Sequence, residues 1–106
     1  MIVDLRIYTC KPARMAEFVA IYEKYALPLQ NKYLGRCLGW FTTVEGAQNR
    51  VVHLWGYDSQ ADREARRKAM AGDPAFQTYL KLVAEADVLV SMENSIVAPT
   101  SFSPVQ

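Results

Sequence analysis

Apolar positions along the chain recur with two different periods, and the switches between them mark out the elements. Residues 2–10, IVDLRIYTC, alternate, with Val3, Leu5, Ile7 and Thr9 on one side and Asp4, Arg6, Tyr8 and Cys10 on the other. A first strand is expected there, broken by Lys11-Pro12. From about Ala13 the period lengthens: Met15, Phe18, Val19, Tyr22, Tyr25, Ala26 and Leu29 form one stripe of a helix. Pro28 should end or kink that helix near Leu27, and Gly35 should stop any further turn. Residues 37–45, CLGWFTTVE, return to period two; EGAQ at 45–48 reads as a turn, and NRVVHLWGY at 49–57 as a third strand. Strands two and three therefore predict a hairpin.

The third strand runs straight into a charged helix. Asp58 and Ser59 supply its N-cap, and Asp62 completes a capping-box-like start. Ala61, Ala65 and Ala69 are expected on its inner side, with Gly72 as its stop. Asp73-Pro74 restarts a helix, Asp as cap and Pro in the first turn, with Phe76, Tyr79, Leu80, Val83 and Ala84 or Ala86 as its apolar stripe. VLVSMENSIVA at 88–98 is the last strand, and PTSFSPVQ at 99–106 a short extended tail whose Phe102 could tuck onto a surface. The order β-α-β-β-α-β predicts an α+β, ferredoxin-like domain spanning 1–106, with helices over one face of a four-stranded antiparallel sheet. In that topology the first and third strands are central and the second lies at an edge beyond the third.

What covers each sheet face bears directly on function. With helices over one face, Val3, Leu5, Ile7, Val52, Leu54, Val90, Met92 and Ile96 are expected on the helix side. The open side then receives Asp4, Arg6, Tyr8, His53, Trp55, Tyr57, Ser91, Glu93 and Ser95, with Trp40 or Phe41. Exposed aromatics on that scale mark an interface or a ligand site. Two copies packed open face to open face would close a barrel around an aromatic-walled cavity, so a homodimer with a small-molecule ligand is expected. The expected ligand contacts are Trp40, Trp55, Tyr57, Ser91 and Glu93, although aromatics at strand spacing also serve as ordinary core.

Candidate chemistry centres on His53, Arg6 and Tyr8. His53, the sole histidine, could act as a general base or haem ligand, or be a hydrogen-bonded histidine inside a β core. Arg6 could pair with Glu93 or Asp4, or grip a carboxylate or enolate.

Length and charge narrow the classes. A chain of 106 residues has room for one sizeable core, and a net charge of +1 gives no case for nucleic acid or an anionic membrane. No apolar run approaches the roughly 18–20 residues of a membrane span, and no secretory segment is read ahead of the first strand, so the cytoplasm is the default. Cys10 and Cys37 lack metal-ligand spacing and read as small apolar residues near strand ends. The basic run Arg63, Arg66, Arg67 and Lys68 is interleaved with acids and reads as a solvated helix face. With no Gly-rich phosphate loop, metal-ligand cluster or nucleophile elbow, no cofactor and no metal are expected. Any catalysis would then be cofactor-free acid/base or oxygen chemistry.

Several stretches together resemble the NIPSNAP family: L-R-x-Y-x-x-x-P from Leu5, V-V-H-L-W-x-Y-x-S from Val51, D-R-x-x-R from Asp62, and E-N at Glu93. The resemblance covers essentially the whole chain and implies a dimeric α/β barrel, similar in fold to antibiotic-biosynthesis monooxygenases. It implies little about chemistry, since bacterial members largely lack an assigned reaction; the mitochondrial roles of larger eukaryotic members do not transfer to one domain. The expectation is a small homodimeric barrel protein of unassigned activity, binding a small, partly aromatic ligand over the open sheet face. Its alternatives are a cofactor-independent monooxygenase or isomerase using His53, Arg6 and Tyr8, and a structural or partner-binding module without a cavity. Whether the protein is an enzyme is left open.

Overall fold

The computed structural model describes residues Met1–Gln106. Strand β1 spans Ile2–Cys10, β2 Arg36–Thr42, β3 Arg50–Tyr57 and β4 Leu89–Val97. They form one antiparallel sheet in the order β2-β3-β1-β4, as the sequence topology requires. With β3 lying between β1 and β2, the two cysteines stay apart; both are free, Cys10 buried and Cys37 exposed.

Pro28 shapes the first helical segment without ending it. Helix α1 covers Met15–Ile21, a π-helical turn follows at Tyr22–Ala26, and α2 continues over Leu27–Tyr33. Proline has no N–H, and its ring crowds the carbonyl four residues back, here that of Lys24. The chain widens by one residue instead, so that the Leu27 N–H donates to the Tyr22 carbonyl. Phe18, Tyr22, Ala26 and Leu29 all remain buried. Gly35 then turns the chain into β2 where a Cβ would lie 2.0 Å from the Gly56 carbonyl oxygen, so only glycine fits.

Helices α3 (Gln60–Ala71) and α4 (Pro74–Ala86) start as their caps dictate. The Ser59 hydroxyl accepts from the Asp62 N–H at 3.0 Å, and Asp62 accepts from the Asp58 N–H at 3.2 Å. Asp73 accepts from the Ala75 N–H at 2.9 Å, with Pro74 in the first turn. The rotation of α3 differs from expectation. Its buried residue is Met70, with Arg67 and Arg63 half-buried one and two turns earlier, whereas Ala65 and Ala69 face solvent. One large apolar side chain fixes a helix's orientation more strongly than several methyl groups.

The faces of β1 and β3 are reversed relative to expectation, while β4 keeps Met92 and Ile96 on the helix side and Ser91, Glu93 and Ser95 on the open side, as expected. Tyr8, Cys10, Val51, His53, Trp55 and Tyr57 are buried beneath the helices, packed with Phe18, Tyr22, Met70 and Tyr79. Asp4 lies with them and is fully buried. Leu5, Ile7, Val52 and Leu54 belong to the open face, where Phe41 is 56% and Val97 41% exposed. Ser91, Glu93 and Ser95 pair with Thr9, Ile7 and Leu5, and so share that open aliphatic face. The reason is volume: the ring-bearing side of β1 and β3 fills the space under three helical segments, and the polar groups there find partners. Phe102 does not tuck down; it is 86% exposed, while Pro99 and Val105 lie beside Val3 and Leu54.

Candidate functional site

Charge enters the core through Asp4. Its Oδ2 accepts from Arg6 Nη1 at 3.1 Å and Arg63 Nε at 3.0 Å, and its Oδ1 from Asn94 Nδ2 at 3.0 Å. Burial alone would push the Asp4 carboxyl up, but the Asn94 hydrogen bond and the two guanidiniums together hold it below the ordinary carboxylate value. Of the two partners considered for Arg6, the structure selects Asp4, since Glu93 lies on the other face. Arg6 Nε also donates to the Tyr8 hydroxyl at 2.9 Å, so Tyr8 keeps its own O–H free to donate elsewhere.

His53 is fully buried next to this network, its ring 4.9 Å from Tyr8 and stacked on Trp40 at 5.1 Å. Its Nδ1 accepts from Trp55 Nε1 at 2.9 Å. Burial, and then the Arg6 charge, push its pKa down to about 3, so the imidazole is neutral with its proton on Nε2. No lone pair remains for a substrate proton. Nε2–H has no hydrogen-bond partner within the chain. The geometry thus makes His53 a donor and a packing element rather than a base. Trp55 and Tyr57 pack on Leu29, Leu34 and Met70, and Trp40 tilts against Tyr22 at 4.7 Å.

Between α4, the inner side of α3 and the β1–β4 half of the sheet lies a cleft of about 290 Å³. Met70, Phe76, Leu80, Val83, Leu89 and Met92 supply its apolar walls; Arg6, Tyr8, Gln30, Arg67 and Tyr79 supply its polar end. Leu80 and Met92, 43% and 62% exposed, form the mouth. The Tyr22 hydroxyl donates to Gln30 Oε1, leaving the Gln30 amide N–H groups as donors. Burial pushes the Tyr79 hydroxyl well above its ordinary pKa, so it stays protonated.

Of the residues singled out from the sequence, Arg6 and Tyr8 line this cleft. His53 sits behind Tyr8; Trp55 and Tyr57 are buried core, Trp40 is half-buried against it, and Ser91 and Glu93 lie on the opposite face. Arg67, Gln30 and Tyr79 were missed. For Arg67 a signal existed: Met70 is the lone large apolar residue of α3, and stepping back by helical spacing reaches Arg67 and Arg63. No cluster of histidine, cysteine, aspartate and glutamate able to hold a metal occurs, and no helix is long and apolar enough to cross a membrane.

Comparison with known proteins bears on identity. The sequence pattern of the NIPSNAP family matches residues 3–104. The human protein NipSnap homolog 3A is 36% identical over 93 residues, covering 88% of this chain but only 37% of that protein's length. The crystal structure of an uncharacterized NIPSNAP-like domain protein from Burkholderia xenovorans has 41% identity and a TM-score of 0.89, covering 97% of this chain and 88% of its own. At 13% identity, an antibiotic biosynthesis monooxygenase superposes with a TM-score of 0.63 over 94% of this chain and 99% of its own; that likeness is one of fold alone.

Proposed function

The chain belongs to the NIPSNAP family, and from that premise we propose that it binds a small, partly apolar molecule in the cleft between α4 and the sheet, working as a homodimer. One observation carries the ligand reading: apolar walls and several hydrogen-bond donors converge on one cavity of about 290 Å³. Concave, mostly apolar sites with a few placed polar groups are the usual make-up of a small-molecule site. In this reading Arg6 and Tyr8 face the ligand, and His53 backs the Tyr8 ring from beneath. The cavity thus lies on the helix-covered side instead of over the open face.

The open face supports the assembly. Leu5, Ile7, Val52, Leu54 and the half-exposed Phe41 form a contiguous aliphatic surface of the kind that two identical copies cover about a twofold axis. Native mass spectrometry of the purified protein, of Leu54→Glu and of Ala84→Trp tests both halves. A dimer carrying an extra mass, monomeric in Leu54→Glu and bare in Ala84→Trp, is the expected result; Ala84 is an exposed residue of the cleft rim. A monomeric wild type sinks the assembly. An extra mass that Ala84→Trp retains places the ligand elsewhere.

A further inference from the structure

The polar end of the cleft has a one-sided chemistry. Arg6 uses Nε on Tyr8 and Nη1 on Asp4, leaving Nη2 uncommitted. Tyr8 accepts from Arg6 and has its hydroxyl proton free. Gln30 has spent its carbonyl oxygen on Tyr22. Tyr79 is buried with no hydrogen bond made by its hydroxyl within the chain. Every group lining the polar end is therefore available chiefly as a donor.

Arg67 adds charge to this set. It is half-buried and makes no ion pair, whereas Arg63, one turn away, is engaged by Asp4. Its guanidinium stands near the Tyr57 hydroxyl without meeting hydrogen-bond geometry. Asp4 is the single carboxylate serving Arg6 and Arg63, so this part of the core holds more cationic than anionic charge. A guanidinium held partly out of water without a partner is unfavourable, and a bound anion would offset that cost. Opposite the donors, Phe76, Leu80, Val83 and Leu89 can accept only an apolar group.

On the reading that this cleft takes a ligand, we propose that the ligand is an amphipathic monocarboxylate, its head held by Arg67 and Arg6 with Tyr8 and its short acyl or aryl tail lying along α4. A carboxylate presents two coplanar oxygens, which match the fork of a guanidinium. At roughly 30 Å³ per water-sized volume, the cleft holds about ten such volumes, which limits the tail to a medium chain or one ring.

Matched ligands test the head group apart from the cavity. Calorimetric titration of the full-length protein with octanoate, octanamide and octanol, and with hydrocinnamate and its amide, is read against Arg67→Gln, Arg67→Lys and Ala84→Trp. The carboxylates are expected to bind about tenfold or more tightly than their neutral counterparts, the scale of one charge-assisted contact. That preference should weaken with added salt. Arg67→Gln should erase most of it while weakening neutral ligands far less, Arg67→Lys should keep part of it, and Ala84→Trp should lose every ligand. Equal binding of acid and amide, blocked by Ala84→Trp, overturns the carboxylate assignment and leaves the cavity standing. No binding by any of these compounds overturns both. A preference that survives in Arg67→Gln removes Arg67 from the site.

Discussion

Asp4 is the most consequential polar residue in the core, and Asp4→Ala measures what its network contributes. The carboxylate is 1% exposed and receives three hydrogen bonds, two of them from guanidiniums. At about 1.5–3 kcal/mol for a bond to a charged group, three bonds set a ceiling of about 4.5–9 kcal/mol. The arginines are 15% and 17% exposed, so after truncation their head groups rehydrate in part. That brings the expected loss to about 3–5 kcal/mol, the scale for breaking a buried pair from one side. Urea unfolding at one fixed protein concentration reads it directly as a shift of midpoint at constant slope. Asp4→Asn, which keeps the shape and one acceptor oxygen, should lose less. The pH dependence supplies a second check. Because the folded-state pKa of Asp4 is lowered, its contribution is fully present above the ordinary carboxylate value of about 3.9 and is lost as pH falls through the folded value. The gap between wild type and Asp4→Ala should therefore hold from neutrality to about pH 5 and close in stronger acid. A loss under about 1 kcal/mol at neutral pH, or a gap that acid leaves unchanged, would refute the account.

Two further outcomes test the burial of this core. His53, with its pKa pushed down to about 3, should show imidazole resonances that stay flat from pH 8 to about 4.5. Its stabilising contribution, complete above the unfolded value of about 6.5, should decline as pH falls toward about 3; a midpoint above pH 6 would overturn the assignment of a neutral, desolvated imidazole. Trp55→Phe, which removes the donor to Nδ1, should cost about 1–3 kcal/mol by leaving a buried acceptor unsatisfied. Among the thiols, exposed Cys37 should react at once with a disulfide reagent, and Cys10, 1% exposed and raised in pKa by burial, only on unfolding. Two fast thiols would contradict the packing of β1.

The topology was legible because its signals are local. Lys11-Pro12, Gly35, Ser59 and Asp73-Pro74 each punctuate the chain through the conformational limits of a few residues, and every element falls within a few positions of where they place it. Period two also grouped Arg6 and Tyr8 with Asp4, and His53 with Trp55 and Tyr57, and the register joins these two sets on one face. What it could not reveal was which face the helices cover, since neither face of β1 or β3 is wholly polar. Asp4, expected on the open face, lies under the helices, because its donors come from β1, α3 and β4, far apart in sequence. β4 keeps its expected sides, but its partners on β1 differ from expectation for a related reason. Glu93 opposes Ile7 because of long-range pairing, including an irregularity at Thr9–Cys10, and neither strand announces that register alone.

That ambiguity gives the polar network a role beyond its energy. A sheet with apolar side chains on both faces could in principle dock its helices on either, and the larger volume of the ring-bearing face is only part of what decides. Leu5, Ile7, Val52 and Leu54 offer no hydrogen-bonding group to distinguish one docking from the other. Asp4 does: it is satisfied only with Arg63 of α3 overhead and Asn94 of β4 alongside, an arrangement that fixes the covered face, the rotation of α3 and the β1–β4 register together. With the faces exchanged, a carboxylate and a guanidinium would lie in the middle of the surface proposed to meet a second copy, unpaired from α3. The same turn of α3 that brings Arg63 to Asp4 carries Arg67 to the cleft four residues later. The residue pattern that selects the fold's handed choice of face thus also furnishes the site's surplus charge, and the aliphatic remainder is left free for assembly.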